Sequence, residues 1–163
     1  MPADNAKRRF IVVSNRLPIS VSRDEDGKLV ASQGAGGLVT ALAPALNNRG
    51  GTWIGWPGSS EDGVADLCRG FSREAGYFLR PVALTEADVE GFYRGFSNEI
   101  LWPLFHEFQM PCNFLPRYWE AYRTANEKFT AAAAAATTND DFIWVHDYHL
   151  MLVAKQLKQT GRT

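Results

Sequence analysis

The chain has 163 residues, 45% hydrophobic and 21% charged, with a formal net charge of −1. That is enough for one compact domain, and it is the make-up of a folded chain rather than a disordered one. So balanced a charge excludes a global basic field of the kind that draws nucleic acid or anionic membrane; any anion specificity has to come from individually placed arginines.

The first predicted element is the apolar run Phe10–Val13, which turns polar at Ser14-Asn15-Arg16 before Pro18. A short apolar run bounded by turn formers reads as a buried strand, and proline cannot extend a central ladder. In an open α/β sheet the first strand is usually central, and ligands bind beyond the carboxyl ends of the strands where the order reverses. This puts Ser14 to Arg16 at the mouth of a binding crevice. Val21 and Leu29-Val30 then suit a hairpin across Asp26-Gly27. Gln33-Gly34-Ala35-Gly36-Gly37 leads into Leu38, Leu42, Ala45 and Leu46 at helical spacing. Pro44 inside that helix predicts a kink or a late start.

Thr52–Trp56 reads as the second long strand, and Glu61 to Cys68 as a short, weak helix. Tyr77-Phe78-Leu79 begins a further strand reaching toward Val82. Thr85 with Asp88 three residues on has the look of a capping box, and Val89, Phe92, Tyr93 and Phe96 follow at helical spacing. Ser97-Asn98 is expected to interrupt that helix. Pro111 and Pro116 frame a loop, and a long helix runs from about Arg117 with Trp119, Tyr122, Phe129 and Ala133 on one stripe. The alanine run 131–136 is expected to prolong it, alanine being the best helix former. Phe142–Val145 reads as a last strand, His146-Asp147-Tyr148-His149 lies at its carboxyl end, and Leu150, Val153, Ala154 and Leu157 form another amphipathic helix before Gly161.

Strands alternating with helices imply an α/β fold with a mainly parallel sheet. Four such strands leave a sheet half built, with an apolar edge in want of a partner. The expectation is the first part of a longer protein. Cys68 and Cys112 have neither CxxC spacing nor the density of a disulfide scaffold and read as reduced thiols. No apolar run approaches the roughly 18 residues of a membrane span, and the four apolar residues after the basic N-terminus are too few for a signal-peptide core. A cytoplasmic location is expected, with neither membrane nor nucleic acid as partner.

Three groups of residues carry chemistry. Gly36-Gly37 stands at a helix start, where free N–H groups and glycine's small size let a phosphate or sugar approach the backbone; an ordinary glycine-rich loop has the same look. It is no dinucleotide fingerprint, since Val39 stands where a third glycine belongs, and no GxxxxGK[ST] loop is present. Arg16 has a guanidinium fork that matches a phosphate bidentately, although surface arginines are common. His146-Asp147-Tyr148-His149 admits acid/base chemistry, a hydroxyl-binding carboxylate, or simple helix capping by Asp147; its HxxH spacing on a strand-to-helix turn is a poor metal site. Of the aromatics, Trp119 and Trp144 are expected in the core. Tyr93 and Trp102 sit where a side chain can reach a cleft.

Val13-Ser14-Asn15-Arg16-Leu17-Pro18, Gly36-Gly37-Leu38, Trp53–Trp56, Tyr93 with Phe96-Ser97-Asn98, Leu101–His106 and Trp144–Leu150 occur in the order seen in the trehalose-6-phosphate synthases. One such motif is weak; the ordered set is specific, and the resemblance covers nearly the whole chain. It implies a doubly wound, Rossmann-like sheet: an incomplete N-terminal, acceptor-side domain over 1–163 of a two-domain retaining glycosyltransferase. The implied reaction transfers glucose from UDP-glucose, or another nucleotide-glucose, to glucose 6-phosphate. By the same resemblance Arg16 contacts the acceptor phosphate, Tyr93, Trp102 and Asp147 are acceptor-binding, and Gly36 and Gly37 face the donor. Trp102 then shapes which anomer is accepted. The resemblance implies no protein nucleophile, the leaving phosphate helping to deprotonate the acceptor, and no cofactor; it requires no metal, because fixed positive groups can neutralise the leaving diphosphate. The nucleotide pocket belongs to the second domain. Homo-oligomer formation stays open, as do three other readings: a glucosylglycerol-phosphate synthase, a non-catalytic sugar-phosphate-binding module, and a nicotinamide oxidoreductase that shares only the fold.

Overall fold

Alternation along one strand organises the molecule. In the computed structural model, which describes residues 8–108 and 111–162, β1 (Phe10–Arg16) is buried from Phe10 to Asn15. Its Ile11 and Val13 point into one apolar cluster and its Phe10 and Val12 into another. Successive strand side chains leave on opposite faces, so a continuous apolar run means a strand covered on both sides.

The other elements supply the two covers. β2 (Ile19–Arg23) and β3 (Leu29–Gln33) form the expected antiparallel hairpin, with Val21 opposite Ala31. α1 (Gly37–Asn47) starts directly at the glycine pair and runs through Pro44. β4 (Thr52–Trp56) is buried throughout. α2 (Val64–Ala75) continues well past Cys68, where the sequence suggested an end; the Ser72 hydroxyl donates to the Cys68 carbonyl and accepts from the Leu79 N–H, tying this last turn to β5 (Phe78–Pro81). The hairpin, α1 and α2 close the face holding Val12, Leu46, Trp53, Cys68 and Leu79.

The opposite face is closed by a composite helix and by α5 and α6. α3 (Glu86–Asp88) opens with the expected capping box between Thr85 and Asp88. The chain then winds as a π-helix over Val89–Leu101 and returns to α geometry in α4 (Trp102–Phe105). Ser97 and Asn98 therefore do not interrupt it. Ser97 is fully buried, and its carbonyl accepts from the Trp102 N–H five residues on. α5 (Pro116–Ala136) includes the alanine run. It comes close to the composite helix because residue 95 is glycine: a Cβ there falls 2.6 Å from the Tyr118 ring. β6 (Phe142–Val145) pairs with β1, a 3₁₀ turn follows over Tyr148–Leu150, and α6 (Val153–Gln159) completes the layer.

The four-stranded sheet has the order β5-β4-β1-β6, all parallel. β1 is central, as expected. The chain runs outward from β1 to β4 and β5, then crosses back to place β6 on the other side of β1. The order thus reverses between β1 and β6, and a crevice opens beyond their carboxyl ends. Two tryptophans expected in the core are not there: Trp119 is 42% and Trp144 45% exposed. Trp144 lies on the face of β6 that continues the Phe10 and Val12 side of the sheet, where the α1–α2 layer does not reach.

Candidate functional site

At the reversal point lies a cleft of about 480 Å³ lined by Ser14, Asn15, Arg16, Leu38, Tyr93, Asn98, Trp102 and His146 to His149. Arg16, Tyr93, Trp102 and Asp147, the four residues to which the resemblance assigns the acceptor, line this one cleft. Gly36 and Gly37 lie beside it, at the start of the helix whose Leu38 forms part of its wall. A Cβ at either glycine meets nothing within 4 Å, so open space adjoins the free N–H groups of the first turn.

Arg16 reaches the cleft through an irregularity in β1. Val13 pairs with Ile54 but Arg16 with Trp56, so β1 carries one residue more than β4 over this interval. Such a bulge re-aims the side chain after it. The Ser14 hydroxyl donates to the Arg16 carbonyl at 2.7 Å and accepts from the Trp53 indole at 2.8 Å, which pins the bulge to the core. The guanidinium lies over the Trp56 ring, 4.8 Å from its centre. Its other neighbour is Gly58, at φ 88°, where any Cβ runs into the guanidinium. A planar cation held between a ring and a bare backbone keeps its N–H edge free for an anion.

Asp147 stands just past β6 at φ 74°, ψ 165°. That region is almost confined to glycine and costs a side-chain-bearing residue on the order of 1–3 kcal/mol. Its Oδ1 accepts from the Tyr148 N–H at 2.7 Å. Asp147 therefore does cap, but it caps the 3₁₀ turn rather than an α-helix beginning near His149. The side chain is 40% exposed and offers a carboxylate to the cleft while capping.

The opposite wall owes its side chains to the π winding. Tyr93, Asn98 and Trp102 are spaced five and four residues apart, and all line the cleft. In an α-helix five residues make about 1.4 turns, which sends the two side chains to different faces; i→i+5 bonding brings them back together. Asn98 is the cleft residue that a 3.6-residue period misses. The Trp102 ring lies against His106 and Phe108, with centroids 4.5 and 5.1 Å away.

Also in the cleft wall is His149, 8% exposed. Burial pushes its imidazole below the ordinary range and nearby His146 adds to this, while Asp147 pulls the other way. Tyr148 is shifted upward by burial and by the neighbouring Asp147 and Tyr93. Larger grooves exist, such as one of about 680 Å³ between β3 and α2. None of its lining residues is buried, and no residue of the four-stranded sheet lines it. Among the described residues no group of three or more His, Cys, Asp or Glu side chains is placed to hold a metal, and no helix is long and apolar enough to cross a membrane.

Residues 8–163 match the sequence family described as glycosyltransferase family 20. The trehalose-6-phosphate synthase of Mycolicibacterium gilvum is 43% identical over 155 residues, which cover 94% of this chain and 31% of that protein. The solved alpha,alpha-trehalose 6-phosphate synthase of Burkholderia multivorans superposes with a TM-score of 0.72 at 32% identity, over 96% of this chain and 31% of the other. A Burkholderia xenovorans alpha,alpha-trehalose-phosphate synthase (UDP-forming), solved in complex with glucose-6-phosphate, superposes with a TM-score of 0.70 at 30% identity, over 95% and 31% of the two chains. The chain thus spans under a third of the length of these relatives.

Proposed function

The chain belongs to glycosyltransferase family 20, and we propose that it forms the acceptor half of a trehalose-6-phosphate synthase. Its 163 residues are then the N-terminal, acceptor-side domain, and a second α/β domain supplies the nucleotide pocket. The observation that carries this reading is the convergence of Arg16, Tyr93, Trp102 and Asp147 on one cleft at the β1/β6 reversal.

In this reading the phosphate of glucose 6-phosphate sits on the guanidinium of Arg16, which Trp56 backs and Gly58 leaves unobstructed. The sugar extends toward β6, where Asp147 accepts hydrogen bonds from its hydroxyls and Tyr93 flanks the ring. Trp102 closes the side that decides which anomer fits. Gly36 and Gly37 present backbone N–H groups to the glucose and phosphate of a nucleotide-glucose, UDP-glucose in the first instance. The acceptor hydroxyl attacks the anomeric carbon as the bond to the nucleoside diphosphate breaks, and its proton passes to the departing phosphate oxygen. No side chain of this cleft is assigned as nucleophile. What the residues here do is orient the acceptor, and holding two reactants in register is itself a large part of a transfer rate.

The test is an assay of glucose transfer from UDP-glucose and other nucleotide-glucoses to glucose 6-phosphate, made with the reading frame that carries these residues. Trehalose 6-phosphate is the expected product. Absence of transfer from every donor overturns the reading.

A further inference from the structure

The cleft wall contains a buried histidine that nothing above uses. His149 is 8% exposed, and neither ring nitrogen is hydrogen-bonded among the described residues. Its ring is stacked between Tyr148 and Tyr93, with centroids 4.2 and 5.6 Å away and planes within 22° and 21°. Phe92 meets it edge-on. Its Nδ1 stands 3.5 Å from Asp147 Oδ2, the carboxylate oxygen that does not cap Tyr148. An unpaired buried polar group is a cost to the fold. A phenylalanine in this aromatic stack fills the same space without that cost, so packing does not explain the imidazole.

We infer that His149 is a positioning residue that joins Tyr93 on the π-helix to Asp147 after β6, fixing both against a bound hexose phosphate. The inference rests on the acceptor reading of the cleft. A neutral imidazole has one N–H, and the neighbouring carboxylate favours placing it on Nδ1. At 3.5 Å that hydrogen bond is unmade. Site hydrogen bonds are often long before ligand binds and tighten in the complex. When sugar hydroxyls draw on Asp147, the carboxylate swings onto Nδ1–H, and His149 holds it there. The flat face of the same ring sets the plane of Tyr93.

The device acts on the sugar end of the ligand. The phosphate end belongs to Arg16, at the end of the neighbouring strand β1. This separates a positioning role from a structural one. Three forms of the chain are titrated by calorimetry: wild type, His149→Phe, which keeps the stack and removes the N–H, and His149→Asn, whose amide N–H falls near the place of Nδ1. Each is titrated with glucose 6-phosphate and with inorganic phosphate, and each is unfolded in urea.

H149F is expected to weaken glucose 6-phosphate about tenfold or more and leave inorganic phosphate unchanged. Its urea midpoint is expected to equal or exceed that of wild type. H149N is expected to recover most of the lost glucose 6-phosphate affinity. Equal affinity of H149F and wild type for glucose 6-phosphate overturns the inference. So does parallel loss of both ligands, or a lowered urea midpoint in H149F with no rescue by H149N, since these mean that the ring only supports the fold. Wild type that takes up inorganic phosphate but no glucose 6-phosphate overturns the acceptor reading itself, and this inference with it.

Discussion

Gly58 offers a way to move Arg16 without touching it. The residue has φ 88°, and a Cβ built there collides with the Arg16 guanidinium, the far end of a flexible side chain that lies over Trp56. Gly58→Ala therefore does two separable things. The left-handed backbone costs an L-residue roughly 1–2 kcal/mol of stability. The methyl group also pushes the guanidinium off its seat, which adds little to the stability cost because the side chain can swing into solvent. Binding suffers more. A hydrogen-bonded contact to a charged group contributes about 1.5–3 kcal/mol, so losing the aligned fork weakens a phosphorylated ligand by about 10- to 150-fold. Gly27→Ala is the matched control. Gly27 has φ 76° in the hairpin turn, and a Cβ there meets nothing within 4 Å. Both variants are expected to lose about the same stability in urea, roughly 1–2 kcal/mol, while only Gly58→Ala loses affinity for glucose 6-phosphate in calorimetry. Equal affinities for the two variants refute the seat assigned to Arg16.

Four further outcomes follow from the packing. Gly95→Ala places a methyl group against the Tyr118 ring and wedges the π-helix from α5; a loss of about 1–3 kcal/mol is expected in denaturant melts, as for other overpacked contacts. Tyr122, fully buried, donates to the Tyr148 carbonyl at 2.7 Å and accepts from the Met151 N–H at 3.2 Å; Tyr122→Phe strands both groups at a cost of about 1–3 kcal/mol. Burial pushes the Tyr122 phenol up to about 12, so the unfolded chain releases this proton first, and unfolding scans should show stability falling as pH rises from about 10. Burial works to raise the Asp88 carboxyl, but hydrogen bonds from Lys128 and Thr85 outweigh it and hold it below the usual range. Its contribution is present above the unfolded value of about 3.9 and fades as pH falls below that; Lys128→Met should flatten this acid limb in unfolding scans.

The strands were readable because burial on both faces writes itself as unbroken apolar runs. Phe10–Val13 is of this kind, and Thr52–Trp56 is buried throughout; Phe142–Val145 is as apolar, yet it leaves Phe142 and Trp144 exposed. Arg16 and Asp147 each follow an apolar run, but a polar residue in that place is common, and it is the family resemblance that singles them out. The helices were harder. Ser97 and Asn98 look like breakers because their side chains compete for backbone bonds, yet packing of the buried Ser97 carries the helix through them. A period of 3.6 residues per turn contains no five-residue step, so helical spacing does not put Asn98 on the face of Tyr93 even though the two share a motif. Trp119 and Trp144 have the composition of core residues and the placement of surface ones. Trp119 stacks on Tyr122 and meets Phe96 at a tilt, with a flank in solvent, and Trp144 lies on a part of the sheet the helices do not cover. Gly58 and Trp56 matter to Arg16 only through contacts made in space, which no spacing in the sequence encodes.

The convergence of four residues on one cleft is tested most directly by recording the backbone amide and tryptophan indole NMR spectrum of the chain as glucose 6-phosphate is added. Saturable shifts are expected at Arg16, Leu38, Tyr93, Asn98, Asp147 and the Trp102 indole, with the groove between β3 and α2 silent. Shifts confined to that groove, at Lys28, Asp66 and Phe71, or spread evenly over exposed charges, contradict the placement of the acceptor site between β1 and β6.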